Sequence, residues 1–236
     1  MKKQFWYFIF LLFYIGTLPV QGKITLPAIL SDNMVLQQKA QVRFWGKARP
    51  GEKVTVSTSW DKNIYTVQTP TDGHWEVKIK TPGVMDNQTL TVKGENTITI
   101  HNILIGEVWL CTGQSNMEFP VARDPNVKWK TGILNETEEM KDADYPSIRL
   151  FHVEHQLAPE GEKEDCIGRW LVCTPENVKE FSAVGFIFGR KLYKELQMPV
   201  GLIQSTWGGT HAESWTERRV MKDNPLYADV MEEFAA

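Results

Sequence analysis

Cysteine is scarce in this sequence and its net charge is small, and both features narrow the functions it can have. The 236 residues include 3 Cys, and no Cys or His spacing resembles the ligand pattern of a zinc site. The net charge is -3, so the composition indicates no basic surface for nucleic acid. We therefore expect neither a bound metal nor a nucleic-acid partner.

Long apolar runs are also absent after the first residues of the chain. Residues 5–15 form an unbroken apolar run that follows Lys2 and Lys3. A basic start and a short apolar run are typical of a secretory signal peptide, and the run is too short for a stable membrane span. We predict a signal peptide over 1–22 and a periplasmic or extracellular location, with an uncleaved anchor as the alternative. No Cys follows the run, so we expect no lipid-modified N-terminus.

The three cysteines leave their pairing open. Cys111 falls in an apolar strand and is expected to be buried. Cys166 and Cys173 are seven positions apart, so they could pair across a hairpin or stay free. Export would permit a disulfide.

Residues 23–105 show the alternating pattern of an antiparallel β-sandwich. Short runs of alternating apolar and polar residues are separated by turns rich in Gly and Pro, which is typical of that fold. The predicted strands are 34–37, 41–46, 53–57, 64–68, 75–80, 89–93 and 97–101. Trp45 and Trp75 fall within strands and are expected in the core rather than on a ligand platform.

At residue 106 the pattern changes to that of an α/β domain. The strand 106–112 is apolar on both faces, so we expect it to be covered on both sides. It ends at Gly113, which permits a tight turn, and the turn delivers Ser115 to the carboxyl end of the strand. There the backbone N–H groups of a following helix would point at developing negative charge. The alternative is a polar turn in which Ser115 or Asn116 caps a helix.

A second loop of the same kind follows downstream. The apolar spacing predicts a helix over 181–197, with Ser182 near its cap, and then a strand over 199–206. A strand, helix and strand in this order form a parallel βα unit, which would place Gly208 and Gly209 at the same sheet edge as Ser115. Their N–H groups could complete an oxyanion hole, or the pair could be an ordinary tight loop. Two further strands are predicted over 147–153 and 169–173.

These segments together resemble a known family. Gly113-Gln-Ser-Asn-Met117, with Gly201-Leu-Ile-Gln-Ser-Thr-Trp-Gly-Gly-Thr210 downstream, is similar to the sialate O-acetylesterase family of the SGNH-hydrolase superfamily, which is related to bacterial acetylxylan esterases. Residues 26–37 and 42–46 resemble the β-sandwich that precedes the catalytic domain in these proteins. The resemblance implies a flavodoxin-like three-layer α/β/α domain over 106–236.

The resemblance also implies roles for three residues. Ser115 matches the family nucleophile, and its N–H would donate to the oxyanion; Gly208, and after it Gly209, matches the second donor. The family also uses a third donor, an Asn, and a base His in an Asp-x-x-His motif, and neither block is found in the 236 residues. We therefore expect the chain to be truncated, with an incomplete sheet edge, and weak or inactive on its own.

The function implied is that of an exported carbohydrate O-acetylesterase that removes acetyl groups from sialic acid and needs no cofactor. An acetylxylan esterase is the first alternative, and a non-catalytic carbohydrate-binding protein is the second if the chain is complete. Among the histidines, His152 and His155 are expected to be structural. His211 follows the glycine pair and receives no catalytic role.

Overall fold

A computed structural model describes residues 23–158 and 161–233, and the predicted signal peptide lies outside these ranges. The protein is mixed α/β, with a large mixed sheet and few helices. The strands are β1 Val35–Gln37, β2 Gln41–Lys47, β3 Lys53–Thr58, β4 Ile64–Gln68, β5 His74–Lys80, β6 Met85–Lys93, β7 Thr97–Gly113, β8 Tyr145–His152, β9 Trp170–Cys173 and β10 Val200–Thr206. The α-helices are α1 Ser115–Glu118, α2 Glu136–Lys141, α3 Ala183–Leu196, α4 Arg218–Lys222 and α5 Ala228–Glu233, and short 3-10 helices cover Ala212–Trp215 and Pro225–Tyr227.

The N-terminal strands form two groups that share one hydrophobic core. β2 pairs with β5 in an antiparallel ribbon, while β3 pairs antiparallel with both β4 and β6. Trp75 is buried in this core as predicted, but the prediction for Trp45 is wrong, because its side chain remains 36% exposed. The alternation along β2 turns its neighbours Phe44 and Gly46 inward and Trp45 outward.

One strand, β7, runs through both halves of the protein. Its 17 residues join two predicted strands, because no Gly or Pro separates His101 from Gly106. The first part of β7 pairs antiparallel with β6 as far as Ile105, and its last part pairs in parallel with β10 over residues 107–113. The predicted division between 105 and 106 therefore falls inside β7.

The second half of the sheet has the order β7-β10-β8-β9. β10 is parallel to both β7 and β8, whereas β9 is antiparallel to β8. Helix α3, which lies within the predicted 181–197, packs on this sheet, and its cap Ser182 accepts a hydrogen bond from the Gly185 N–H. A Cβ at Gly189 would lie 2.4 Å from the side chain of Leu202, so the glycine lets α3 approach β10 closely without displacing this buried leucine.

The second half of β7 is more exposed than the sequence predicts. Trp109 is 41% exposed and Leu110 is 62% exposed, so the expected cover on both faces is not found in the described residues. Trp109 packs edge-on against Phe188 of α3, with ring centroids 5.0 Å apart. The three-layer flavodoxin-like arrangement therefore stays a prediction. No helix within the described ranges is long and apolar enough to cross a membrane.

The three cysteines are free thiols in this structure. Cys111 is buried as predicted. Cys173 is also buried, and its Sγ donates a hydrogen bond to the carbonyl of Ala143 at 3.6 Å rather than bonding to Cys166. Burial raises the pKa of the Cys173 thiol to about 12.

Candidate active site

Ser115 stands at the end of β7 with its hydroxyl free of any capping role. Gly113 has a φ of 141°, a backbone conformation that L side chains rarely adopt, and α1 begins two residues later. Gln114 is the N-cap residue of α1 and no side chain caps this helix, so the interpretation of Ser115 or Asn116 as a helix cap is wrong. The Ser115 Oγ lies 3.4 Å from Gln114 Oε1.

The glycine pair lies directly beside this serine. β10 pairs with β7 in a register that places Thr206 opposite Gly113, so both loops leave the same edge of the sheet. A Cβ built on Gly208 would lie 3.4 Å from Ser115 Cβ and 2.7 Å from Glu118 Oε2. The structure thus brings together the two loops that the sequence predicted, and a side chain at position 208 would displace the Glu118 carboxylate.

The backbone N–H groups around Ser115 differ in their partners. The N–H groups at the start of a helix have no partner within the helix. Across the part of the chain that the structure describes, neither the Ser115 N–H nor the Gly209 N–H donates a hydrogen bond. The Gly208 N–H, in contrast, donates to the Glu118 carboxylate. Gly209 has a φ of 80° and open space around its Cα.

Glu118 is a site residue that sequence reasoning missed. It lies in α1, three positions after Ser115, and is only 8% exposed. Its Oε2 accepts from Gly208, and its Oε1 lies 3.4 Å from His155 Nε2. One sequence feature could have indicated its burial: Glu118 lies between two large apolar residues, Met117 and Phe119.

The histidines near this edge differ in their surroundings. His155 Nε2 lies 2.7 Å from the Thr206 carbonyl, and because a carbonyl can only accept, this nitrogen carries the hydrogen. The His155 ring stacks on Trp207 with centroids 4.2 Å apart. Burial, with a smaller contribution from His155, lowers the pKa of His152. His211 is exposed at the start of a 3-10 helix.

An open cavity of about 420 Å³ borders the end of β10. Aromatic side chains line it, and its volume falls in the range of small-molecule sites. The lining includes Trp45, His155, Thr206, Trp207 and Trp215. A larger cleft of about 780 Å³ continues from it toward His74. Within 23–158 and 161–233, no three His, Cys, Asp or Glu side chains are grouped as metal ligands.

Comparison with known proteins gives consistent results. Residues 105–236 match the family described as carbohydrate esterase, sialic acid-specific acetylesterase. The sialate O-acetylesterase of Pongo abelii is 38% identical over 214 residues, which is 82% of this chain. The human sialate O-acetylesterase is 37% identical over the same length.

A solved structure is also similar. The crystal structure of a carbohydrate acetylesterase from Xanthomonas citri superposes with a TM-score of 0.76 at 30% identity and covers 86% of this chain. The chain spans 39% of the length of the Pongo abelii and human relatives and 44% of the Xanthomonas citri chain.

Proposed function

The chain belongs to the sialic acid-specific acetylesterase family of carbohydrate esterases, and from that premise we propose that it removes O-acetyl groups from sialic acid. The observation that carries this proposal is the contact between the Ser115 loop and the Gly208–Gly209 loop at the carboxyl ends of two parallel strands. This contact puts a hydroxyl and backbone N–H donors in one place, as acyl transfer requires.

In the proposed reaction, Ser115 Oγ attacks the acetyl carbonyl carbon and loses its proton to a general base. The resulting oxyanion accepts hydrogen bonds from the Ser115 N–H and from the loop of Gly208 and Gly209. The sugar oxygen then leaves with a proton from the same base, and an acetyl-enzyme remains. Water hydrolyses this ester to acetate and frees Ser115.

The base is not assigned to a histidine in the described residues. His155 Nε2 already donates to the Thr206 carbonyl and faces Glu118. From the family resemblance we propose that the base belongs to an Asp-x-x-His motif and the third oxyanion donor to an Asn in a separate block, neither of which occurs in residues 1–236. On this proposal the 236-residue chain alone turns over slowly, because an unassisted serine hydroxyl is a weak nucleophile. Export through residues 1–22 belongs to the same proposal.

The test is acetate release by the protein encoded by the full reading frame, measured on an acetylated sialoside and on acetylated xylan. We expect faster release from the sialoside, and we expect Ser115→Ala to lower kcat by about 10⁴-fold or more. Acetylated xylan is included because the Xanthomonas citri relative is described only as a carbohydrate acetylesterase, without a specified sugar. Turnover that survives Ser115→Ala would contradict the mechanism, and sugar binding without turnover would favour a carbohydrate-binding protein.

A further inference from the structure

We propose that Glu118 is a positioning residue for this site, which places the Gly208 N–H beside Ser115 and holds it until the oxyanion forms. The inference rests on the proposed esterase function. It assigns a role to a residue that neither the family match nor the glycine motif identifies.

The surroundings of Glu118 are unusual for a buried carboxylate. Burying a charge is costly unless it is paired and hydrogen-bonded. In the described ranges no Lys or Arg forms an ion pair with Glu118, whose partners are the Gly208 N–H and His155. A buried glutamate without a cationic Lys or Arg partner stabilises the fold little. We therefore look for the role of Glu118 in the groups that its two carboxylate oxygens contact.

Those oxygens fix the glycine loop relative to the nucleophile. Residues three apart on a helix lie on one face, so Glu118 and Ser115 project from α1 toward the same loop. Oε2 accepts from Gly208, while the opposite oxygen faces His155, whose Nε2–H is anchored on the Thr206 carbonyl at the end of β10. Glu118 thereby links the helix that carries Ser115 to Gly208 directly, and lies beside the histidine that contacts the end of β10.

The hydrogen bond from the Gly208 N–H to Glu118 also means that two acceptors compete for this N–H during the reaction. The Glu118 carboxylate and the oxyanion both accept from one N–H, and hydrogen bonds to charged groups are the stronger ones. A glutamine at position 118 keeps an oxygen acceptor of the same reach and removes its charge. It should therefore hold Gly208 in place and release its N–H more readily, whereas an alanine loses the placement.

The kinetic test uses the product of the full reading frame and an acetylated sialoside. Glu118→Ala should lower kcat by about 10- to 100-fold with KM changed less than about threefold, the size expected for a misplaced donor. Glu118→Gln should keep the wild-type kcat or exceed it by up to about tenfold. Glu52 is the matched control, because this buried glutamate also accepts backbone N–H groups, from Arg49 and Glu95, but in the N-terminal sheets. Glu52→Ala should leave kcat unchanged at temperatures where the variant is folded.

A second measurement needs no turnover. Amide hydrogen exchange at Gly208, followed by NMR, should become about tenfold faster or more in Glu118→Ala and stay near the wild-type rate in Glu118→Gln. Unchanged exchange in Glu118→Ala, equal kinetic damage from both substitutions, or an equal kcat loss in Glu52→Ala would each overturn the role of Glu118. A wild-type protein without turnover, or turnover that survives Ser115→Ala, would instead contradict the proposed function and any catalytic use of Glu118 with it.

Discussion

Glu52 and Glu118 are both buried glutamates that accept backbone N–H groups, yet their surroundings differ. Glu52 lies at the turn before β3, accepts from Arg49 at 3.1 Å and from Glu95 at 2.6 Å, and is 6% exposed. Both of its carboxylate oxygens therefore accept hydrogen bonds from turns of the N-terminal sheets. Glu118 accepts from the Gly208 N–H beside Ser115, where the N–H groups of Ser115 and Gly209 have no partner among the described residues, and the cavity at the end of β10 borders its neighbour His155.

The difference shows how one chemical device serves two purposes. Around Glu52 the donors are satisfied within the fold, so the carboxylate contributes to stability. Around Glu118, within the described residues, the N–H groups of Ser115 and Gly209 have no hydrogen-bond partner at a sheet edge, which costs stability and provides donors for a ligand. We therefore expect substitutions in the first region to change the free energy of unfolding and those in the second to change kcat.

The largest expected effect, a loss of stability in the N-terminal region, comes from truncating a side chain of its core. Trp75 is 1% exposed, and Trp75→Ala should lower the free energy of unfolding by about 3–5 kcal/mol, since it leaves a large cavity. Trp45 in the neighbouring strand is 36% exposed, and Trp45→Ala should change the free energy of unfolding by less than about 1 kcal/mol. Urea denaturation measures both. A loss for Trp45→Ala as large as that for Trp75→Ala would mean that the exposed tryptophan is part of the core.

A smaller effect sharpens the comparison of the two glutamates. Glu52→Ala leaves two N–H groups without an acceptor and should lower the free energy of unfolding by about 2–3 kcal/mol. Glu118→Ala should lower it by only about 1 kcal/mol, because water can reach the half-buried Gly208. Thermal unfolding of the two variants under one buffer condition measures the difference. Equal losses would show that Glu118 also serves mainly as a structural anchor.

Much of the fold could be predicted from local sequence signals. Alternation and turn residues marked most of the N-terminal strands, and apolar spacing with a serine cap marked α3. The continuous strand β7 was not predicted, because its second half pairs with β10, which lies almost 90 residues later in the sequence, while its first half pairs with the adjacent strand β6. The exposure of Trp45 follows from the register of β2, and assigning tryptophan to the core by residue type overrode that register.

For the candidate site, the sequence predicted the two loops but not their chemistry in detail. Strand ends followed by glycine indicated that Ser115 and Gly208 would meet at one sheet edge, and they do. The hydrogen bond from Gly208 to Glu118 could not be read from the sequence, because their 90-residue separation is bridged only when β10 pairs with β7. Their catalytic roles stay predictions until kinetics test them.

The smallest expected effect concerns a third carboxylate, which lies in the same half of the protein as Glu118 but away from the serine. Glu139 of α2 pairs with Arg190 of α3, and the hydrogen bond from Arg190 holds the pKa of Glu139 below its usual value of 4.5. A carboxyl group with a lowered folded-state pKa contributes stability that is present above its unfolded pKa and is lost as pH falls through the folded value. Glu139→Gln should therefore lower the free energy of unfolding by about 1 kcal/mol at pH 7, and by progressively less below about pH 4.

Urea denaturation of this variant at a series of pH values tests whether the half that contains the site also has purely structural charges. Glu138, exposed on the same helix, is the control, and Glu138→Gln should change stability by less than about 0.5 kcal/mol at any pH. Because the pair only joins α2 to α3, Glu139→Gln should leave kcat and the exchange rate of Gly208 unaltered. A change in either quantity would mean that charges outside the site also affect it, and α3 would have to transmit the effect through its packing on α1 or on β10.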